Sequence, residues 1–281
     1  MAFSTPVTQL IRKRYSCRTY ATDPIDEERR KALESFIADQ TGPFGSPTQF
    51  ELIAATEEDR ETLRDLGTYG FIKNPTAFVI GAMGPGDKNL EDFGYAMERI
   101  ILFATELNLG TCWLGGTFTK SRFADKISAG EGERVPAVTS VGIVQGDWPE
   151  PQDGSHRDGW EQLFFDQTFG QPLTRKNAGA YATPLEMVRL GPSASNKQPW
   201  RVVHRDSAYH FYIRRSPRYR EWIVQGLLGI ADMQRLDAGI AMCHFELTAR
   251  EEGLDGEWQV DEPGVEKPDG RTEYIVSWKS S

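Results

Sequence analysis

Gly191-Pro192-Ser193-Ala194-Ser195-Asn196-Lys197-Gln198-Pro199-Trp200-Arg201-Val202-Val203 is the stretch from which the fold is read. Two prolines, two serines and an asparagine give a fixed loop with exposed hydroxyl, amide and backbone groups, and Arg201-Val202-Val203 starts an extended run. Such a loop cups a ligand. It lies past the middle of the chain, so the rest of its site must come from elsewhere.

Working outward, the long helix expected over Leu227–Glu252 follows this loop, and an earlier helix over Asn89–Asn108 has Leu90, Phe93, Met97, Ile100, Ile101, Ala104 and Leu107 at helical spacing. Sliding the earlier helix by 145 positions pairs Asp92 with Asp237, Gly94 with Gly239, Ala96 with Ala241, Met97 with Met242, Leu102 with Leu247, Ala104 with Ala249, Glu106 with Glu251, Leu109 with Leu254 and Trp113 with Trp258. These nine identities in 22 residues compare with roughly one or two expected from ordinary residue usage. At a slightly larger offset, Gln49-Phe50-Glu51-Leu52 lies over Gln198-Pro199-Trp200-Arg201. Two repeated halves are therefore expected, residues 1–165 and 166–281.

Within the first half, Thr5-Pro6 is expected to start a helix and Pro24-Ile25-Asp26 to cap a second one running to about Ala38. A short helix is expected over Asp59–Leu66, strands at Phe50–Ala54, Ala77–Met83 and Val138–Val144, and a short helix from Thr119. Thr111 to Thr117 is read as a loop in which backbone can approach a ligand. Gln145 to Asp158 is a polar linker leading to an amphipathic segment, Trp160–Phe165. In the second half, Thr183-Pro184 caps a short helix, Arg201–His204 and Tyr209–Ile213 are strands, Trp258 begins an extended piece and Thr272–Trp278 is a terminal strand.

At 281 residues, 39% apolar and 26% charged, with seven Trp and fifteen Phe, the chain is expected to be globular with a sizeable core. Its net charge of −9 argues against nucleic acid or an anionic membrane as partner, because both need a basic face. Cys17, Cys112 and Cys243 are far apart and include no C-x-x-C pair, so neither a disulfide framework nor a zinc site is expected and no metal ligand set is found. With no secretory signal in Met1–Gln9 and no apolar run long enough for a bilayer, a cytoplasmic setting is expected.

Arg14-Tyr15-Ser16-Cys17-Arg18 puts two guanidinium groups and a hydroxyl at alternating positions after a helix, where they can converge on one anion. Arg14-x-Ser16-x-Arg18-x-Tyr20 together with the Pro192–Trp200 loop resembles the two hallmark segments of the nitroreductase family of flavin mononucleotide enzymes. There both segments normally occur in one half-length subunit, and two subunits share two flavin sites across a dimer interface. The resemblance implies a fused branch of α+β fold: two halves, each a mostly antiparallel sheet flanked by helices, forming an intrachain pseudo-dimer that is itself monomeric.

The resemblance also implies roles. Arg14, Tyr15, Ser16 and Arg18 would meet the FMN phosphate, ribityl chain and pyrimidine edge, with Arg18 on the N1/O2 side. Trp113, Leu114, Gly115 and Gly116 would form the loop beside flavin N5. Pro192, Ser193, Ala194, Asn196 and Gln198 would cover the isoalloxazine and ribityl from the other half, and Arg157 would close the phosphate site. No side chain is expected to be a catalytic acid or base, since flavin N5 carries the chemistry. NAD(P)H would be the transient reductant and a small nitroaromatic or quinone the electron acceptor, with Trp113 and Trp200 as a flat apolar slot.

The first-half loop Gly42–Gln49 lacks the asparagine, and the second half has no arginine-serine-arginine segment before Pro192. One flavin site per chain follows from the resemblance. The alternatives are a flavin-binding carrier or sensor without turnover, and a flavin enzyme doing reductive dehalogenation or flavin fragmentation. Arg214-Arg215-Ser216-Pro217-Arg218-Tyr219 imitates the phosphate motif, but it follows its half's loop instead of preceding it, so it is read as a solvated basic face. His244 is read as a core histidine.

Overall fold

The computed structural model describes residues 3–53, 55–56, 66, 68, 70–116, 120–219 and 231–280. The expected helix over Asp59–Leu66, residue Thr117, the start at Thr119 and residues 227–230 lie wholly or largely outside them. The chain divides into two compact units, Met1–Gln152 and Asp153–Ser281. The segment 153–165, grouped with the first half from sequence, thus packs with the second unit.

In the first unit, α1 (Val7–Lys13) buries Val7, Leu10 and Ile11. Its entry is held by Glu106, whose Oε1 accepts from the backbone N–H of Ser4 and Thr5 at 2.8 and 2.6 Å. Proline at position 6 suits a helix start because its missing N–H would find no intrahelical partner there. In α2 (Glu27–Ala38), Asp26 caps the N-terminus by accepting from Arg29 N at 3.0 Å. Its buried face, Leu33, Phe36 and Ile37, meets the central helix, where Phe36 stacks on Phe103 at 4.1 Å.

The strands β1 (Thr48–Ile53) and β2 (Ala77–Met83) are antiparallel. Every residue of β2 is buried, as its unbroken apolar run requires of an inner strand. The central helix α3 (Asn89–Glu106) ends where Asn108 turns left-handed, φ 57°, a conformation asparagine tolerates better than most residues. After it, β3 (Gly110–Leu114), the helix α4 (Lys120–Lys126) and β4 (Val138–Gly142) complete the unit.

Residues Thr111–Leu114, expected as loop, are instead a strand paired with β4, with Cys112 opposite Ser140 and Leu114 opposite Val138. Pairing with a strand some 28 residues on overrides the glycines that follow. The sheet order is β1-β2-β4-β3. Tyr20, fully buried, shares a 2.8 Å hydrogen bond with Ser140 Oγ and lies 2.9 Å from Cys17 O.

In the second unit, Trp160–Phe165 splits into one turn of helix, α5 (Trp160–Leu163), and a short strand, β5 (Phe164–Asp166). Next come α6 (Arg175–Ala178) and α7 (Ala182–Leu190), which carries Thr183 and Pro184 inside its first turn. Strands β6 (Trp200–Arg205) and β7 (Ala208–Arg214) form a hairpin. Its turn residues Asp206 and Ser207 are both left-handed, the twist that a two-residue hairpin needs.

Helix α8 (Met233–Glu251) starts at Asp232, whose side chain accepts from Gln234 and Arg235 N. Strands β8 (Gly256–Gln259) and β9 (Thr272–Ser280) follow. The order is β5-β6-β7-β9-β8, antiparallel except for β5 on β6. The core between this sheet and α8 is aromatic: Phe245 meets Phe211 at 5.2 Å and Trp278 at 5.8 Å, and Trp258 meets Trp278 at 5.0 Å. Trp200 belongs to this buried interior at 1% exposure, so it cannot line an open slot. Among the described residues no helix is long and apolar enough to cross a membrane.

Candidate functional site

The predicted residues fall into two clusters, one in each unit. In the first, α1 ends at Arg14, and the chain runs beside the start of β3, with Ser16 bridging Thr111 and Cys17 N donating to Thr111 O at 2.8 Å. Gln152 ties down this corner by donating from Nε2 to Arg14 O at 2.5 Å.

The three side chains of the basic segment do not share one environment. Arg14 is buried, whereas Ser16 and Arg18 are exposed. Arg14 Nε lies 3.7 Å from Glu98 Oε1 on α3, too far for a hydrogen bond, and no acceptor among the described residues takes its proton. Burial lowers the Arg14 guanidinium from its usual pKa, and the Glu98 charge opposes that. Arg18 lies over the exposed Phe71 ring at 4.9 Å. Both guanidiniums act on the buried Cys112 thiol, whose pKa burial nevertheless raises. Tyr15 packs edge-on against Trp148 at 5.4 Å, and burial raises its hydroxyl's pKa.

Trp113 is half-buried and donates from Nε1 to Glu98 Oε2 at 2.7 Å. Glu98, with no exposed surface, thus serves both the basic segment and the strand leading to Gly115 and Gly116. Leu114 is buried, Gly115 half-buried and Gly116 exposed.

In the second unit the Pro192–Gln198 loop takes a tense backbone. Ser195, Asn196 and Gln198 are left-handed at φ 52°, 54° and 44°, each costing of order 1 kcal/mol or more for a residue with a Cβ. Hydrogen bonds hold it: Gln198 N to Ser193 Oγ at 2.8 Å, Asn196 N to Ser193 O at 2.9 Å and Lys197 N to Ala194 O at 3.1 Å. Pro192 is buried, and Ser193 and Ala194 are half-buried. Arg157 meets this loop: its Nη1 donates to Asn196 Oδ1 at 2.8 Å and its Nη2 to Leu190 O at 3.2 Å.

Sequence reasoning missed the buried acids on the two long helices. Asp92 accepts from Phe44 N at 2.9 Å and Ser46 N at 2.8 Å, bracing the loop before β1. Asp237, at the matching position, accepts from Ala194 N at 3.0 Å through Oδ1, while its buried Oδ2 has no partner among the described residues. The available signal was the Asp92/Asp237 identity itself, an acid placed on an apolar helix face. Burial, with Asp232 adding to it, raises the Asp237 pKa well above the usual carboxyl range against the opposing Ala194 N–H. The folded protein therefore binds this proton more tightly than the unfolded chain does, and stability falls as pH rises from about 4 through the raised value. Asp237→Asn should abolish that slope and raise the thermal midpoint at pH 8 by about 2–4 °C per kcal/mol of relieved burial cost, with little change at pH 4. Thermal unfolding of both proteins at pH 4, 6 and 8 checks this, and parallel profiles would refute it.

The imitation motif departs from the expected solvated face at one residue, Arg215. Arg215 is buried and paired with Asp232 at 2.6 Å and Glu273 at 2.9 Å, and Arg214 pairs with Asp269 at 3.0 Å. Arg215 is thus an internal ion-pair partner, whereas Arg214 and Arg218 are exposed, as the solvated-face reading has them. His244 is fully buried, with Nδ1 2.9 Å from Met187 O.

Residues 6–249 match the family model described as "Putative TM nitroreductase", and the chain belongs to this nitroreductase family. Its fold is similar to that of a putative nitroreductase from Thermotoga maritima, at 16% identity and a TM-score of 0.62, over 99% of this chain and 95% of that one. A nitroreductase family protein from Clostridium difficile aligns with 57% of this chain and 94% of its own at 18% identity, TM-score 0.46. An FMN-dependent nitroreductase from the same species aligns with 52% and 91% at 19% identity, TM-score 0.42. No curated protein matches the chain by sequence.

Proposed function

We propose that the chain is an FMN-dependent oxidoreductase that passes two electrons from NAD(P)H to a small nitroaromatic or quinone-like acceptor. The observation that carries this reading is the family match over residues 6–249, which includes both the Arg14–Arg18 segment and the Pro192–Gln198 loop. The residues present suit the cofactor. A buried guanidinium N–H on Arg14 with no acceptor among the described residues, and an exposed serine and arginine two and four residues on, are donors of the kind that hold a phosphate or an anionic ring edge.

When bound, the flavin supplies hydride and electron transfer at N5. The chain's own residues would bind and orient it: Arg14, Ser16 and Arg18 would donate to the anionic parts, Trp113 to Gly116 would offer backbone to the ring, and Pro192, Ser193, Ala194, Asn196 and Gln198 would have the covering role that the family resemblance implies. Tyr15 supports the basic segment through its ring packing on Trp148. A cation such as Arg18 near the pyrimidine edge favours the anionic reduced ring and so two-electron chemistry.

We further infer that the two units descend from one duplicated half. The strand order β1-β2-β4-β3 is matched by β6-β7-β9-β8. Trp113 and Trp258, 145 residues apart, each donate an indole N–H at 2.7 Å to a glutamate on the preceding long helix, Glu98 and Glu246. On this reading the chain is a monomer with one flavin site.

The purified protein should carry or take up FMN to about one per chain, and NAD(P)H should bleach it, with a nitroaromatic or quinone restoring the colour. Arg18→Ala should weaken FMN binding roughly 10- to 100-fold, the equivalent of one charge-assisted hydrogen bond, with unchanged far-UV circular dichroism. A flavin that no nicotinamide reduces would indicate a carrier, and two flavins per chain would overturn the one-site reading. A colourless protein that takes up no FMN would sink the proposal.

A further inference from the structure

Segment 154–158 lies along the covering loop and the helix before it, joined by five hydrogen bonds. Arg189 Nη1 donates to Gly154 O at 3.1 Å, and Asn196 Nδ2 donates to His156 O at 3.0 Å. Arg157 donates to Asn196 Oδ1 and Leu190 O, and Asp158 N donates to Gln198 Oε1 at 2.8 Å. Arg189 is in turn fixed by Glu186, its Nη2 2.6 Å from Oε1, and Glu186 also pairs with Arg175 at 2.7 Å. The strap thus has a rigid base on α7 and three grips on the loop.

Those grips fall on Asn196 and Gln198, two of the three left-handed residues. The side-chain oxygen of Asn196 is taken by Arg157, its amide nitrogen by His156 O, and the side-chain oxygen of Gln198 by Asp158 N. A backbone held in sparsely populated regions persists only where its surroundings over-determine it.

We propose that Arg157 is a positioning residue: it acts on flavin binding through the loop it straps, and not as a ligand of the FMN phosphate. This rests on the reading of the Pro192–Gln198 loop as a flavin contact. The strap itself, and its effect on the loop's backbone, are independent of that reading.

Two measurements separate the possibilities. The first uses flavin-free protein and follows amide hydrogen exchange over residues 191–198. Arg157→Ala and Arg157→Lys should each speed exchange there at least tenfold, since lysine keeps the charge but cannot fork to two acceptors, and exchange in β7 should stay unchanged. Asn196→Ala removes the same contact from the other end together with the grip on His156 O, so adding Arg157→Ala to it should speed exchange little beyond Asn196→Ala alone. Loop exchange equal to wild type in both Arg157 variants would overturn the strap.

The second compares FMN with riboflavin, which lacks the phosphate. A positioning role predicts that Arg157→Ala weakens both by the same factor and that lysine does not restore either. Loss confined to FMN, or recovery by lysine, would make Arg157 a phosphate ligand and overturn the proposal. Wild-type protein that binds neither ligand would fail the flavin reading while leaving the exchange result to decide the strap.

Discussion

Glu98→Ala should cost about 3–5 kcal/mol, the range for removing one partner of a buried ion pair. The Arg14 guanidinium beside it has 4% of its side-chain surface exposed and Glu98 none, so the variant strands a charge in a low-dielectric interior. It also removes the acceptor of the Trp113 indole N–H, a further loss of about 1 kcal/mol. Urea unfolding measures the sum. Glu98→Gln keeps an oxygen for Trp113 and should fall between alanine and wild type. Replacing both Arg14 and Glu98 by methionine should recover much of the stability, because the stranded charge is then gone. If alanine at position 98 leaves the urea midpoint where it was, Arg14 is not held by Glu98. Since Arg14 and Trp113 are both proposed flavin contacts, Glu98→Ala should also weaken FMN binding under conditions where the variant remains folded.

Trp278→Ala should cost the second unit a comparable 3–5 kcal/mol, the range for emptying a large aromatic site. Trp278 has no exposed surface and sits against Phe245 and Trp258, with the Arg250 guanidinium 5.3 Å from the ring and its Nε1 donating to Tyr181 Oη at 3.3 Å. Its ring lies directly over Gly256, where an added Cβ would stand 2.5 Å from the indole. The site was therefore shaped around a full indole ring. Trp278→Phe should retain part of the stability because a smaller ring leaves a smaller cavity. Denaturant midpoints for the two variants check the order, and an alanine variant as stable as wild type would contradict the packing argument.

The elements legible in the sequence were those whose signal is local. Ala77–Met83 is a strand with the bounds its apolar run gives, and the helix over Asn89–Glu106 follows from its 3.6-residue period. Asp26 caps α2 as its position before a charged first turn implies. The α+β class, with two sheets that are mostly antiparallel, followed from the family motifs together with these elements. Illegible were the features set by partners far along the chain. Thr111–Leu114 is a strand because β4 pairs with it, and no residue within the segment announces that partner. Trp160–Phe165 breaks into helix and strand because Phe164–Asp166 finds β6 to pair with. The bracing acids were visible as an identity between the long helices, yet the N–H groups they hold lie 43 to 48 residues away in sequence. The same distance hides the strap, since Asp158 and Gln198 are 40 residues apart.

The left-handed run at Ser195, Asn196 and Gln198 also sets how freely this loop can change over evolutionary time. A β-branched residue at any of the three would crowd its own carbonyl, so drift there is confined to asparagine, aspartate, glycine and the few other side chains that bear a positive φ. Glycine is the permissive exit: at position 195, whose side chain is exposed, it would release the backbone tension while leaving the grips on Asn196 and Gln198 in place. A single glycine at position 195 can therefore soften the loop without touching the contacts that Asn196 and Gln198 make with residues 156–158.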